Sequence, residues 1–345
     1  MKLYQYVIRR LILMIFVLLG VSLIVFYLAR GFPSGIDPVA PYIHQRMTAE
    51  QIEEVRRIHG FDQPIYIQYF YWLKDALRGD FGITGAWANS RPAIDVFLAH
   101  FPLTVQLSSA AIILTVAIGI PLGIISAIKN NKLPDHISRI IALTGYSTPS
   151  YWFGFILQLV FFYYFLTWGL PHLPSSGAIG MEATAVPWVT GMPVLDGLLG
   201  GNLGYTLDAL AHLILPAFSL AFISLGFLAR IVRASMLEVL RQDYITLARS
   251  KGLKERVVIY RHAMKNALIP AVTLTGIFFA MLLGGAMITE QIFNWPGVGR
   301  LSLRAVFQGD SNFLLIYTLA LAVIVVVANL IVDVAYVFLD PRIKY

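Results

Sequence analysis

Apolar residues gather into six blocks, each long enough to cross a bilayer, which takes about 20 residues. They cover approximately 10–29, 103–128, 140–166, 210–230, 268–289 and 313–338. The first begins RRLILMIFVLLG. It has no small-residue cleavage site and reads as an uncleaved span, not a signal peptide. Between the fourth and fifth blocks the pattern changes. Leu237, Leu240, Tyr244 and Leu247 recur at steps of three and four, the apolar stripe of an amphipathic helix. Lys251 and Gly252 follow, a basic last turn and a glycine suited to a left-handed cap. A second short helix over about 255–266 leads to Pro270. The pattern predicts a helix–glycine–helix unit on a polar side of the membrane. It fits a docking element for another protein, or a basic helix lying on anionic lipid.

The long segment 30–101 predicts a small ordered subdomain. GFPSGIDPVAPY is loop chemistry. Thr48 with Gln51 three residues on is a capping-box pattern, and the helix it opens ends near Gly60. An aromatic amphipathic stretch from Pro64 to Gly82 follows. Its aromatics suit either the bilayer interface or a partner surface. The stretch 167–209 has no Lys or Arg, is rich in Gly and Pro, and predicts irregular structure. EQIFNWPGVGRL predicts a re-entrant or surface hairpin at Trp295–Gly299. Gly119 and Gly123 form a small-residue face for close helix packing. Pro121, Pro149, Pro216 and Pro270 lie in or at the edges of spans, where neighbours can re-satisfy the backbone.

Composition agrees with membrane residence. The 345 residues are 58% hydrophobic and only 13% charged, against about 25% charged in soluble domains, and mean hydropathy is +0.72. The net charge of +7 is explained by topology, with no need of nucleic acid as a partner. Lys2, Arg9 and Arg10 precede the first span. Lys129, Lys132 and Arg139 lie between the second and third, a basic run from Arg230 to Lys265 between the fourth and fifth, and Arg342 and Lys344 after the sixth. The positive-inside rule then puts both termini and 230–270 in the cytoplasm of a multi-pass cell-membrane protein. Cysteine is absent, so there is no disulfide and no thiolate metal site. No GxxxxGK[ST], HExxH or GxSxG occurs, so neither a catalytic centre nor a metal site is expected. Asp333 lies four residues after Asn329 on one helical face. The pair reads as a polar site in a pathway, or as a packing contact near the cytoplasmic end, with Arg230 or Arg233 as partner.

Several stretches together carry a resemblance over almost the whole chain. They are YVIRRLILMIFVLLGVSLIVFYLAR, GFDQPIYIQYFYWLKDALRGDFG, HLILPAFSLA, DYITLARSKGLKERVVIYRHAMKNALIP, EQIFNWPGVGRL and NLIVDVAYVFLDPRIKY. In this order they resemble the B-type permease subunit of dipeptide/oligopeptide ABC importers. Thr246 and Leu247 stand where the general coupling motif has Glu and Ala. His262 to Lys265 replaces a common I-x-L-P, and Pro33 to Pro38 carries an insertion.

The resemblance implies an all-α integral membrane protein of six transmembrane helices with the fold of a type I importer permease. It divides as 1–29 with the first span, 30–101 outside, and a five-span core 102–345 carrying a coupling loop at 230–267. It implies no cofactor in this chain, with ATP and Mg held by partner ATPases. The implied partners are a homologous second permease, two ATPase subunits, an extracytoplasmic binding protein and membrane lipid. ATPase coupling falls to Asp243, Tyr244, Leu247, Ala248, Arg249, Lys251, Gly252 and Leu253. A contact with the binding protein is expected at Asp62, Gln63, Pro64, Tyr69 and Trp72. Peptide is the first expected substrate, with oligosaccharide or nickel as alternatives; an ion-coupled carrier and a membrane-anchored scaffold are the competing classes.

Overall fold

The computed structural model describes residues 3–30, 37–43, 47–181, 183, 186–284 and 286–339. Among them the chain is almost wholly helical, with one isolated bridge between Ile83 and Pro92. In order the main helices are α1 (Leu3–Arg30), α2 (Ala49–Ile58), α3 (Ile65–Ala76), α4 (Ala93–Ile128) and α5 (Leu133–Ser147). Then come α6 (Ser150–Thr167), α7 (Pro193–Leu199), α8 (Leu203–Val239), α9 (Asp243–Ser250) and α10 (Glu255–Ala267). The last are α11 (Ile269–Leu283), α12 (Met287–Ile292), α13 (Val298–Gln308) and α14 (Ser311–Leu339). Most of α1, all of α4, α6 and α8, and most of α14 are long and apolar enough to span a membrane. The pair α10 and α11, bent by 50°, makes a sixth if taken as one span.

The third expected span is corrected by the structure. The expected span covers 140 to 166, but the helix breaks at Thr148. Pro149 disfavours helical backbone in the residue before it, and Thr148 is extended, at φ −89° and ψ 125°. The span proper is α6, which carries a wide π turn over Leu159–Tyr164. The stretch 167–209, expected to be irregular, contains α7 and the start of α8. Asn202 caps α8 by accepting from the Tyr205 N–H at 3.0 Å. Helix α12 ends at Ile292 and α13 begins at Val298, and Trp295, expected on a re-entrant or surface hairpin, is fully buried.

The described residues of Met1–Thr104 and Pro296–Val327 form one compact unit. Its α2 opens with the expected capping box: Thr48 accepts from the Gln51 N–H, and Gln51 accepts from the Thr48 N–H. One face of α3 buries Tyr69 and Trp72 against Phe26 and Leu315. The loop after α3 folds onto the start of α14, where an Asp310 oxygen accepts from the Gly85 N–H and from Trp87 Nε1, both at 2.8 Å.

The second unit, formed by the described residues of Val105–Trp295 and Ala328–Lys344, is built on α8. Side chains are small where α4 and α5 cross it. A Cβ on Gly123 would stand 2.6 Å from Val232 Cβ and 2.7 Å from the Ala229 carbonyl oxygen. Across α5, a Cβ on Gly145 would stand 2.5 Å from the Phe222 carbonyl oxygen, and one on Gly226 would stand 2.7 Å from that of Ala142. These backbones touch because no side chain separates them. One end of the unit is closed by Leu157, Leu215 and Phe293. The other is closed by Ile124, Val232, Met236, Ile245, Val258 and Ala263 among others.

Candidate functional site

The helix–glycine–helix unit is present, with a different start from the one the periodicity suggests. Helix α8 runs to Val239, so Leu237 is on it and Leu240 is in the turn that follows. Helix α9 begins at Asp243, and the stripe from Leu237 to Leu247 is therefore divided between two helices. The face of α9 turned into the chain carries Ile245 and Ala248, 0% and 7% exposed. They pack with Val258, Ile259 and Ala263 of α10 and Met236 of α8. Burying Ile245 contributes about 1.5–3 kcal/mol, which is what holds so short a helix in place. Tyr244 and Leu247 point outward, 39% and 56% exposed, as does Leu253 beyond the helix.

This corrects the expected role of Ala248. Its small side chain lets α9 sit close to α10 of the same chain, so the surface it serves is internal. The outward face holds Asp243, Tyr244, Leu247, Arg249 and Lys251. Asp243 lies in the first turn and Arg249 in the last, each complementing the helix dipole. Arg249 donates from Nη2 and Nε to the two Glu255 oxygens, at 2.7 and 3.1 Å. That fork closes the loop over Gly252, whose φ of +76° is left-handed and whose Cβ position faces open space. Asn266 donates to the Tyr244 hydroxyl at 2.9 Å, tying the other end of α9 to α10.

Below this unit lies a buried ion pair that sequence reasoning passed over. Asp135, at the start of α5, is 0% exposed. It accepts from Arg233 Nε at 2.8 Å and Nη2 at 2.9 Å, from Arg139 Nη2 at 3.1 Å, from Ser126 Oγ at 2.5 Å and from the Asn131 N–H at 2.8 Å. The Arg233 hydrogen bonds outweigh burial and hold the Asp135 carboxyl well below the usual carboxylate range. Arg233 also donates to Asn130 at 2.9 Å. The turn between α4 and α5 is thereby fastened to the last turns of α8, which lead into α9. The available signal was an acidic residue in the first turn of a helix, which many solvated helix starts share.

Other expected sites fare unequally. Asp62, Gln63 and Pro64 are exposed, but Tyr69 and Trp72 are 8% and 6% exposed and belong to the core of their unit. The Tyr69 hydroxyl lies 2.9 Å from Ser22 Oγ on α1. A helix with its apolar stripe inward shows the other side, here Tyr66, Phe70 and Tyr71. Asn329 is exposed, and the Asp333 side chain lies outside the described residues. Of its two suggested partners, Arg233 is engaged by Asp135, and the Arg230 guanidinium lies over the rings of Phe227 and Tyr146, 4.9 and 5.6 Å from their centroids. No group of three or more His, Cys, Asp or Glu suited to a metal occurs among the described residues.

Two family models match. Residues 119–345 match the binding-protein-dependent transport system inner membrane component, and residues 3–108 its N-terminal membrane component. The chain is 37% identical over 330 residues to the probable D,D-dipeptide transport system permease of Escherichia coli, covering 96% of this chain and 94% of the relative. It is 36% identical to the dipeptide transport system permease of Alkalihalophilus pseudofirmus and 34% identical to the oligopeptide transport system permease of Bacillus subtilis. Both of those alignments cover 99% of each chain.

Proposed function

Because the chain belongs to the family of binding-protein-dependent transport system inner membrane components, we propose that it is the permease subunit of an ATP-driven importer of di- and oligopeptides. The observation that carries the substrate class is the full-length likeness to several peptide permeases. A homologous second permease completes the pathway, and a binding protein delivers peptide on the side opposite α9. ATP and Mg belong to two ATPase subunits that dock on α9. The outward pair Tyr244 and Leu247 supports that docking. Apolar side chains turned out on a braced polar loop suit a helix-in-groove contact. The Arg249–Glu255 fork and the Asp135–Arg233 pair brace the loop, so a push on α9 reaches α8 and α5 as a rigid-body displacement.

The test is uptake of a labelled dipeptide into proteoliposomes holding this chain with its co-purifying subunits and binding protein. Uptake should need ATP on the α9 side. Uptake driven by an ion gradient without ATP would remove the importer reading, and ATP-driven uptake of an oligosaccharide but no peptide would change the substrate class.

A further inference from the structure

We propose that the cavity between the end of α4, α5 and the last turns of α8 binds one anionic phospholipid. The cavity measures about 260 Å³ and lies wholly within the second unit. Its walls are Leu122, Ala142, Leu143, Gly226 and Phe227, and its charged lining is Arg139, Arg230 and Arg233. Asp135 accepts from Nε and Nη2 of Arg233 and from Nη2 of Arg139. Arg230 forms no ion pair with any carboxylate among the described residues; aromatic rings are its neighbours. Arg139 Nε is buried without a hydrogen-bond partner. Three guanidiniums against one carboxylate leave an excess of positive charge at the edge of a hydrocarbon-lined space.

A ligand that satisfies both halves is an anion on a long apolar tail. A free phosphate or carboxylate would pair with Arg230 and leave the apolar walls bare. An uncharged lipid would fill the walls and leave Arg230 and Arg139 Nε as they are. Depth selects the same class. Arg230 closes the apolar block 210–230 of α8, so its guanidinium stands where hydrocarbon gives way to headgroups, the level of lipid phosphate. Basic pockets between membrane helices take anionic headgroups there. Leu143 and Tyr146 of the lining are each 61% exposed, and Ile140 beside them is 63% exposed, so the cavity opens onto a surface of α5 along which an acyl chain can lie. The bound lipid would then rest against Arg139 and Arg233, the two arginines that hold Asp135, and so beside the clamp between α5 and α8.

The full-length chain, reconstituted in nanodiscs of equimolar phosphatidylglycerol and phosphatidylcholine with matched acyl chains, is released and weighed by native mass spectrometry. The retained lipid should be phosphatidylglycerol, enriched several-fold. Arg230→Gln should bring the ratio close to that of the bilayer, and Arg230→Lys should keep most of the enrichment. Arg241→Gln removes the same charge from the exposed turn after α8 and should change nothing. Arg230 is itself exposed, so these variants should remain folded, and unchanged melting temperatures check that. Equal retention of the two lipids overturns the proposal. So does an equal effect of Arg241→Gln and Arg230→Gln, which would mean general surface charge, or a peptide retained in place of lipid, which would give the cavity to the transport pathway.

Discussion

Leu247 and Ala248 are neighbours with opposite environments, and substitution should separate them. Leu247→Glu places a charge on the outward face of α9, where water solvates it in the free chain. The chain should keep its melting temperature and lose its ATPase subunits in a pull-down. Ala248→Glu forces a carboxylate among Val258, Ile259 and Ala263, and an unpaired buried charge costs several kcal/mol. Both melting temperature and ATPase retention should fall. Loss of retention with an unchanged melting temperature in Ala248→Glu would mean that Ala248 faces the partner after all. Gly252→Ala meets no atom within 4 Å, so its cost is the left-handed backbone alone, about 1–2 kcal/mol, and a calorimetric loss well above that would contradict the open geometry. Asp135→Asn leaves Arg233 short of its charge partner, and breaking a buried pair costs about 3–5 kcal/mol. Thermal unfolding measures this directly. Because the Asp135 carboxyl is held below its ordinary range, its contribution is complete above the usual Asp pKa. It is lost only as pH falls through the depressed value, so mild acid should not imitate Asp135→Asn. The sequence showed the pattern of α9 and misjudged its inner face, because helical period fixes spacing and leaves rotation free. It hid the ion pair altogether, since Asp135 and Arg233 are 98 positions apart.

Among the helices, contact is governed by what is missing from α4, α5 and α8. Gly119 and Gly123 were legible as a small-residue face, and they do meet α8. The matching use of Gly145 and Gly226 was not, because single glycines in apolar runs carry no spacing. Gly123→Leu should force α4 from α8, since even a Cβ there falls inside contact distance of Val232 and the Ala229 carbonyl. Overpacking of this kind costs about 1–3 kcal/mol or more. The variant should unfold at lower temperature in detergent, and a melting curve that superposes on that of the unsubstituted chain would refute the tight crossing. The break at Thr148 was written in Pro149, yet the apolar residues on both sides of it masked it. Hydrophobic blocks report what lies in lipid and say nothing of whether the backbone stays helical across them.

For the chain as a whole, the apolar blocks and the basic asymmetry made the membrane class and the spans legible, whereas the division into two compact units was not. That division joins the start of the chain to residues 296–327, and no periodicity links segments so far apart. Orientation can be tested on a chain that contains no native cysteine. Ser176→Cys should react with an impermeant maleimide from outside intact cells, and Ser250→Cys only after the membrane is opened. Both positions are exposed. Labelling of Ser250→Cys in intact cells would reverse the topology and remove α9 from the ATP side.

The 50° bend between α10 and α11 has a mechanical consequence. Pro270, at the start of α11, has no N–H to return to the preceding turn, so the corner lacks a hydrogen bond that a straight helix would have. Helix α11 has 15 residues and is therefore about 22 Å long, and a tilt of roughly 10° at the corner sweeps its far end by about 4 Å. The corner would act as a fulcrum, with α10 and the α9 loop as the short arm and α11 as the long one. Pro270→Ala returns the N–H and stiffens the joint. Peptide moved per ATP hydrolysed should drop while the ATPase subunits remain bound, and an unchanged ratio would show that the two arms turn as a single rigid body.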